Sequence, residues 1–176
     1  TYTLGCISPN LTNYIFAQII ESAQTEARRQ GFFILTGSAP SVNEVEPLLN
    51  EMLDRRVDGL LVLNPRDDER YRYLLPLIKK GMPVVYLKNT PKDEDVSSVS
   101  CDDKKGGYLA TQHLLELGHT SIAIITGPKN EECSLDRLDG YHQAFNESGI
   151  TPNDKLSKEG DWSAESAGKI TQNILN

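Results

Sequence analysis

No apolar run in this chain approaches the roughly 20 residues that a helix needs to cross a bilayer, which excludes a membrane-spanning helix. No secretory leader is visible either, although an exported protein would already have lost one. Cysteine is sparse. Cys6, Cys101 and Cys133 lie far apart without any CxxC, so neither a zinc ribbon nor a dithiol redox motif is present. Small buried hydrophobes in a reducing compartment explain them more simply than a disulfide or a reactive thiol, which favours the cytoplasm. His113, His119 and His142 lack metal-ligand spacing and no HExxH occurs, so no metal is expected. The Gly-x-Gly-x-x-Gly fingerprint, the phosphate-cradling Walker loop and Gly-x-Ser-x-Gly are all missing. That disfavours dinucleotide, P-loop and serine-hydrolase enzymes, leaves no catalytic pairing to defend, and implies no cofactor. Positive charge is also in deficit. With 18 Lys and Arg against 25 Asp and Glu, the net charge is -7. Phosphate binding needs a basic face, so this segment does not grip nucleic acid by itself.

What is present is a regular alternation of strand and helix. At 176 residues and 38% hydrophobic content, the chain can bury a real core as one domain or two small ones. Strands are predicted at 4–7, 32–36, 57–63, 83–87, 96–101, 121–126 and 156–160. Helices are predicted at 14–30, 44–56, 67–80, 106–117, 134–148 and 164–175. In the first helix Phe16, Ile19, Ile20, Ala23 and Ala27 recur at helical spacing, Thr12 or Asn13 can cap the start, and Gly31 stops it. Crossovers of this length imply an α/β fold with parallel sheets covered by helices.

In such sheets ligands lie beyond the carboxyl ends of the strands. That rule picks out residues 8–16, 37–41, 64–67, 88–90, 102–103, 127–137 and 161–162. Trp162, the sole tryptophan, stands on a loop beside Asp161. Its indole suits the C–H face of a sugar or a purine ring, and the aspartate can accept hydroxyl hydrogens. The alternative is an aromatic plugging the gap between loop and sheet. Arg137 falls in the first turn of its helix, where a cation opposes the helix dipole. A ligand with hydroxyls or negative charge would justify it, and so would an ion pair with Asp136 or Asp139. Phe16 reads equally as core or as a ligand platform. The acidic run Asp93-Glu94-Asp95 reads as a solvated loop.

Several short motifs in order complete the picture. They are Asn13-Tyr14-Ile15-Phe16, Arg56-Val57-Asp58-Gly59-Leu60, Pro83-Val84-Val85 and Ser100-Cys101-Asp102-Asp103 with Gly106-Gly107-Tyr108. Leu117-Gly118-His119 leads into Ile122-Ala123-Ile124-Ile125-Thr126-Gly127-Pro128, then Arg137-Leu138-Asp139-Gly140-Tyr141, and Gly160-Asp161-Trp162-Ser163 follows. In this order and spacing the chain resembles the effector-binding region of lactose-repressor-family transcription regulators, relatives of the periplasmic sugar-binding proteins. The resemblance implies two doubly wound parallel-sheet lobes, 1–102 and 103–176, closing on a ligand, with the second lobe incomplete in this chain. It implies no enzyme activity. It makes Arg137 the effector-binding arginine and puts Glu131 and Cys133 on the loop that tunes ligand choice. Trp162 would stack on the effector, with Phe16, Asp102 and Asp161 beside it, and tryptophan there suggests a sugar. Ile15 departs from the pattern. So does Lys88, which stands where many relatives carry aspartate; a second cation in the cleft of Arg137 suggests an acid-bearing sugar. By the same resemblance the intact protein is a cytoplasmic homodimer that meets operator DNA through a helix-turn-helix absent here, with further strands beyond residue 176. The rival within the same fold is a periplasmic sugar-binding protein of a transporter.

Overall fold

The computed structural model describes residues 1–63, 70–88 and 96–176. The expected ligand positions 64–67 and 89–90, the start of the helix expected from residue 67, and the Asp93-Glu94-Asp95 loop lie outside the described residues. The chain divides into two compact units, Thr1–Ser100 and Cys101–Asn176.

The first unit is a five-stranded sheet of β1 (Thr3–Ser8), β2 (Phe33–Ser38), β3 (Gly59–Leu63), β4 (Val84–Leu87) and β5 (Ser97–Val99). The strands run in the order β2-β1-β3-β4-β5, every neighbour parallel. That order reverses between β1 and β3, the switch point of a doubly wound sheet. Three helices, α1 (Tyr14–Arg29), α2 (Val42–Asp54) and α3 (Arg70–Lys79), supply the crossovers. Side chains alternate across a strand, and the core shows it. Cys6 packs with Phe16, Ile20, Ala27, Ile34 and Leu63, whereas its neighbour Ile7 joins Val45, Leu49, Met52, Leu60, Val62 and Tyr86. Helix α1 therefore covers one face and α2 the other. Burying each large side chain of this kind stabilises the fold by about 1.5–3 kcal/mol.

Local chemistry sets the helix limits. Asn13 caps α1, its side chain accepting from the Ile15 and Phe16 amides at 3.0 and 3.3 Å. Gly31 ends the helix at φ +81, where a Cβ would be strained. The Arg-Val-Asp-Gly motif proves structural. Asp58 accepts from the Thr3 amide and the Thr1 hydroxyl, each at 2.9 Å, and so ties the start of β3 to the amino end of β1. That end is opposite the one where a ligand would lie.

The second unit holds α4 (Asp103–Glu116), β6 (Ile124–Thr126), α5 (Glu132–Glu147), a 3-10 turn (Asp154–Leu156), β7 (Ser157–Glu159) and α6 (Ala164–Leu175). Strands β6 and β7 pair in parallel, Ile124 opposite Ser157 and Thr126 opposite Glu159. Ile122, Tyr141 and Phe145 form the core, and the Tyr141 hydroxyl donates to the Ile122 carbonyl at 3.0 Å. Helices α4 and α5 meet through glycine. A Cβ on Gly140 would strike the Lys104 carbonyl oxygen, and one on Gly107 the Arg137 carbonyl oxygen. The backbones touch where side chains would normally separate them.

Two boundaries differ from expectation for a clear reason. Helix α4 starts three residues early because Asp102 caps it, accepting from the Lys105 amide at 2.8 Å. Strand β6 is shorter than the 121–126 run because β7 pairs only with Ile124–Thr126, and an apolar run without a ladder partner is not a strand.

The cysteines separate by environment. Cys6 and Cys133 are buried and Cys101 is exposed, and none of the three is in a disulfide. Burial pushes the Cys6 thiol up to about 12. An aromatic disulfide reagent at pH 8 is expected to label one thiol rapidly in the folded chain and three after denaturation. Rapid labelling of a second thiol in native conditions would contradict the burial.

Candidate functional site

The carboxyl end of β6 opens into a loop from Gly127 to Glu131, and α5 begins at Glu132. The carboxyl end of β7 leads through Gly160 to Asp161 and Trp162 before Ser163 caps α6, accepting from the Ser166 amide at 3.0 Å. Parallel pairing of the two strands sets these loops side by side. The Trp162 indole lies against Gly127 so closely that any Cβ there would collide with the ring. Its backbone is left-handed, φ +67, which a side chain with a Cβ tolerates poorly. Asp161 supports that turn, its carboxylate accepting from the Ser163 amide at 2.9 Å. Hydrogen bonds from the Ser163 side chain and backbone hold the Asp161 carboxyl below its usual range. Even so, 54% of Trp162 remains exposed. The ring thus packs on Gly127 while about half of the side chain stays exposed.

Arg137 joins the same group. Its guanidinium carbon is 5.7 Å from the Trp162 ring centroid. Its Nε and Nη2 both reach Asp103 Oδ1, at 2.7 and 2.6 Å. The Asp103 side chain is only 9% exposed while that of Arg137 is 45% exposed. The expected ion pair with Asp136 or Asp139 is thus replaced by one with Asp103, 34 residues away. Arg137 is also in the second turn of its helix, not the first. Glu131 keeps an extended backbone as the helix cap (φ -104, ψ 124), so the helix starts at Glu132.

A cavity of about 350 Å³ runs from this group between α4, α5 and β6, lined by Gly107, Thr111, Ile122 to Gly127, Ser134, Arg137, Tyr141 and Trp162. Residues from both faces of β6 line it, so it follows the strand edge turned away from β7. Its walls are mostly apolar, and the buried Ser134 hydroxyl has no hydrogen-bond partner among the described residues.

Carboxylates crowd this end. Burial raises the Asp136 carboxyl above its ordinary 3.8, and Asp103, Asp139 and Asp102 push the same way against Lys104. The folded state then holds this proton more tightly than the unfolded chain. Its ionisation costs stability that is untouched below pH 3.8 and fully lost above the raised value. Asp136→Asn is expected to raise the Tm by a few degrees at pH 7, with the gain vanishing near pH 3. An equal gain at both pH values would refute the electrostatic cause.

The remaining expected residues fall elsewhere. Asp102 has its carboxylate engaged in the α4 cap. Glu131, at the end of the loop, and Cys133, in the first turn of α5, are both buried. In the first unit Phe16 is buried in the core, and Lys88 Nζ sits 5.6 Å from its ring centroid. The outward residues at that end are instead Leu11, Tyr14 and Ile15, at 43, 76 and 53% exposure. The helical phase of Phe16, Ile20 and Ala27 already turned Tyr14 and Ile15 outward. Asp103 and Gly127, which build the site with Arg137 and Trp162, lie within the ranges that the strand-end rule picks out, but nothing in the local sequence marks them for these contacts.

Comparison with known proteins agrees on one group. Residues 1–176 match the family described as periplasmic binding proteins and the sugar-binding domain of the LacI family. The transcriptional repressor PurR of Vibrio atlanticus (strain LGP32) is 29% identical over 176 residues, covering 99% of the chain and 52% of the relative. PurR of Edwardsiella ictaluri (strain 93-146) is 31% identical over 177 residues, covering 100% of the chain and 52% of the relative. The chain spans about half the length of the curated relatives it matches. Among solved structures, the Escherichia coli transcriptional repressor ascG superposes with a TM-score of 0.85 at 28% identity, over 99% of this chain and 65% of that one. The transcriptional regulator CelR in complex with cellobiose superposes with a TM-score of 0.83 at 29% identity, over 99% of this chain and 55% of that one.

Proposed function

This chain belongs to the family of periplasmic binding proteins and LacI-type sugar-binding domains, and from that premise we propose that it is the ligand-sensing core of a transcription regulator. The ligand is a sugar or sugar derivative, held at the carboxyl-end loops and released unchanged, so the chain is a sensor and not an enzyme. One observation carries the reading. Arg137 is fixed by Asp103 beside the half-exposed Trp162, which places a charged hydrogen-bond donor next to an aromatic face. Pyranose rings ask for that pairing, a C–H face against the indole and hydroxyls toward the guanidinium. The strain at Trp162 supports it, since a left-handed tryptophan persists only where other demands hold it.

Regulation follows from binding energy. A ligand that prefers one conformation of a homodimer shifts the population of the state that grips operator DNA, by no more than its differential affinity. We assign the DNA contacts to a helix-turn-helix outside this segment, because a net charge of -7 opposes the phosphate backbone. Three cysteines outside any disulfide, two of them buried, suit a reducing cytoplasm and favour the regulator over an exported transport protein.

Calorimetric titration with a panel of neutral and acidic mono- and disaccharides tests the proposal. Saturable binding accompanied by a change in the fluorescence of Trp162 is expected. Heats at the dilution level for the whole panel would rule out a sugar ligand.

A further inference from the structure

We infer that Gly127 is a positioning residue: its missing side chain seats the Trp162 indole at the height from which a sugar ring stacks on it. The inference rests on the ligand reading above and deepens it. Every residue it uses belongs to the second unit.

Backbone preference alone would place these two residues the other way round. Trp162 holds φ +67, a conformation that glycine adopts freely and tryptophan does not. Gly127 is not among the residues of positive φ, so its own backbone accepts any side chain. Gly31, Gly81, Gly118 and Gly149, by contrast, are all left-handed. What glycine supplies at 127 is therefore space. A Cβ there would strike Cε2 and Cζ2 of the indole and come within 2.6 Å of Cη2, all in its six-membered ring.

The backbone on both sides of the contact is tied down. Thr126 pairs with Glu159 at the end of the ladder, and the Gly160 amide donates to the Thr126 carbonyl at 2.9 Å. The Lys129 amide donates to Glu159 Oε1 at 3.0 Å, which ties the loop after β6 to β7. On the far side of the ring, the Asp161 carboxylate accepts from the Ser163 amide at 2.9 Å. These bonds lie within two residues of Gly127 or Trp162, so an added methyl group must lift or turn the indole rather than part the loops. A turned indole also loses its place beside the Arg137 guanidinium, 5.7 Å from the ring centroid. One missing side chain thus sets both the height of the aromatic face and its distance from the charged donor.

The plainer alternative is that the contact only packs one loop on the other. A ring kept for packing alone gains by burial and has no use for strain. This one keeps 54% exposure and a left-handed backbone.

Trp162 is the sole tryptophan, so the fluorescence of the full chain reports this ring alone. Gly127→Ala is expected to shift the emission to the red and to make it more open to acrylamide quenching. Calorimetric titration with glucose, galactose and cellobiose should show the binding weakened about tenfold. Trp162→Phe removes part of the clashing ring, and in that background Gly127→Ala should change affinity by less than about twofold. Gly168→Ala, in α6 with open space around it, should leave emission and affinity as in the parent. Unchanged emission and quenching in Gly127→Ala overturn the seat itself. Altered emission with parental affinity, or an equal loss of affinity in the Trp162→Phe background, makes Gly127 a packing residue and leaves sugar sensing intact. A parent that binds none of the three sugars overturns the sugar reading and this role with it.

Discussion

Gly140→Ala is expected to lower the melting temperature of the second unit by roughly 15 °C, a loss of about 3 kcal/mol, at the upper end of overpacking costs. The added Cβ would fall on the Lys104 carbonyl oxygen and within 2.6 Å of the Tyr108 amide nitrogen. Both are backbone atoms inside α4, so no side-chain rotation relieves the clash and the helices must part. Parting them opens the core of Ile122, Tyr141 and Phe145 and moves Arg137, one turn before Gly140 on α5. Gly107→Ala should act alike, through the Arg137 carbonyl. Its neighbour is the control. Gly106 is helical with open space around it, so Gly106→Ala should stabilise by about 0.5–1 kcal/mol. Thermal melts of the three variants, with hydrogen exchange to locate the loss, decide the matter. If Gly140→Ala melts with the parent, the close helix crossing is wrong.

Arg137→Met is expected to weaken sugar binding about 100-fold, the loss of charge-assisted hydrogen bonds worth about 3 kcal/mol. It should also reduce stability, by about 1–2 kcal/mol, because the Asp103 carboxylate at 9% exposure loses its partner. The two effects separate in a double variant. Adding Asp103→Asn removes the stranded charge, so stability should return while binding does not. Recovery of both would show that Arg137 only positions the α4–α5 pair. Retention of wild-type affinity by Arg137→Met would remove the site from this arginine altogether.

Much of this was legible in the chain. The helix in 14–30 was readable because Phe16, Ile20 and Ala27 recur at its period, Asn13 can cap it and Gly31 can end it, all within one local stretch. The run 57–63 is legible as a buried strand because its apolar residues are nearly continuous, and β3 occupies Gly59–Leu63 of it. The end of the sheet that carries Arg137 and Trp162 is also legible, since strand–loop–helix order places both beyond strand ends. Periodicity does not decide whether Phe16 is core or platform, because it gives a face and not what covers it; Lys88, 72 positions away in the chain, lies over the ring.

Sequence by itself therefore determined what depends on neighbours along the chain: the α/β alternation, the helix caps and stops, the absence of catalytic motifs, and the family. Tertiary structure alone decided what depends on residues brought together from afar. It joined Arg137 to Asp103 rather than to Asp136 or Asp139, laid Trp162 on Gly127, and made Gly107 and Gly140 a point of backbone contact. Hydrogen-bond geometry and apolar periodicity act over a few residues and leave a local imprint. Ion pairing and steric fit act through space, and the same residues would carry the same local signals whichever partner the fold supplied.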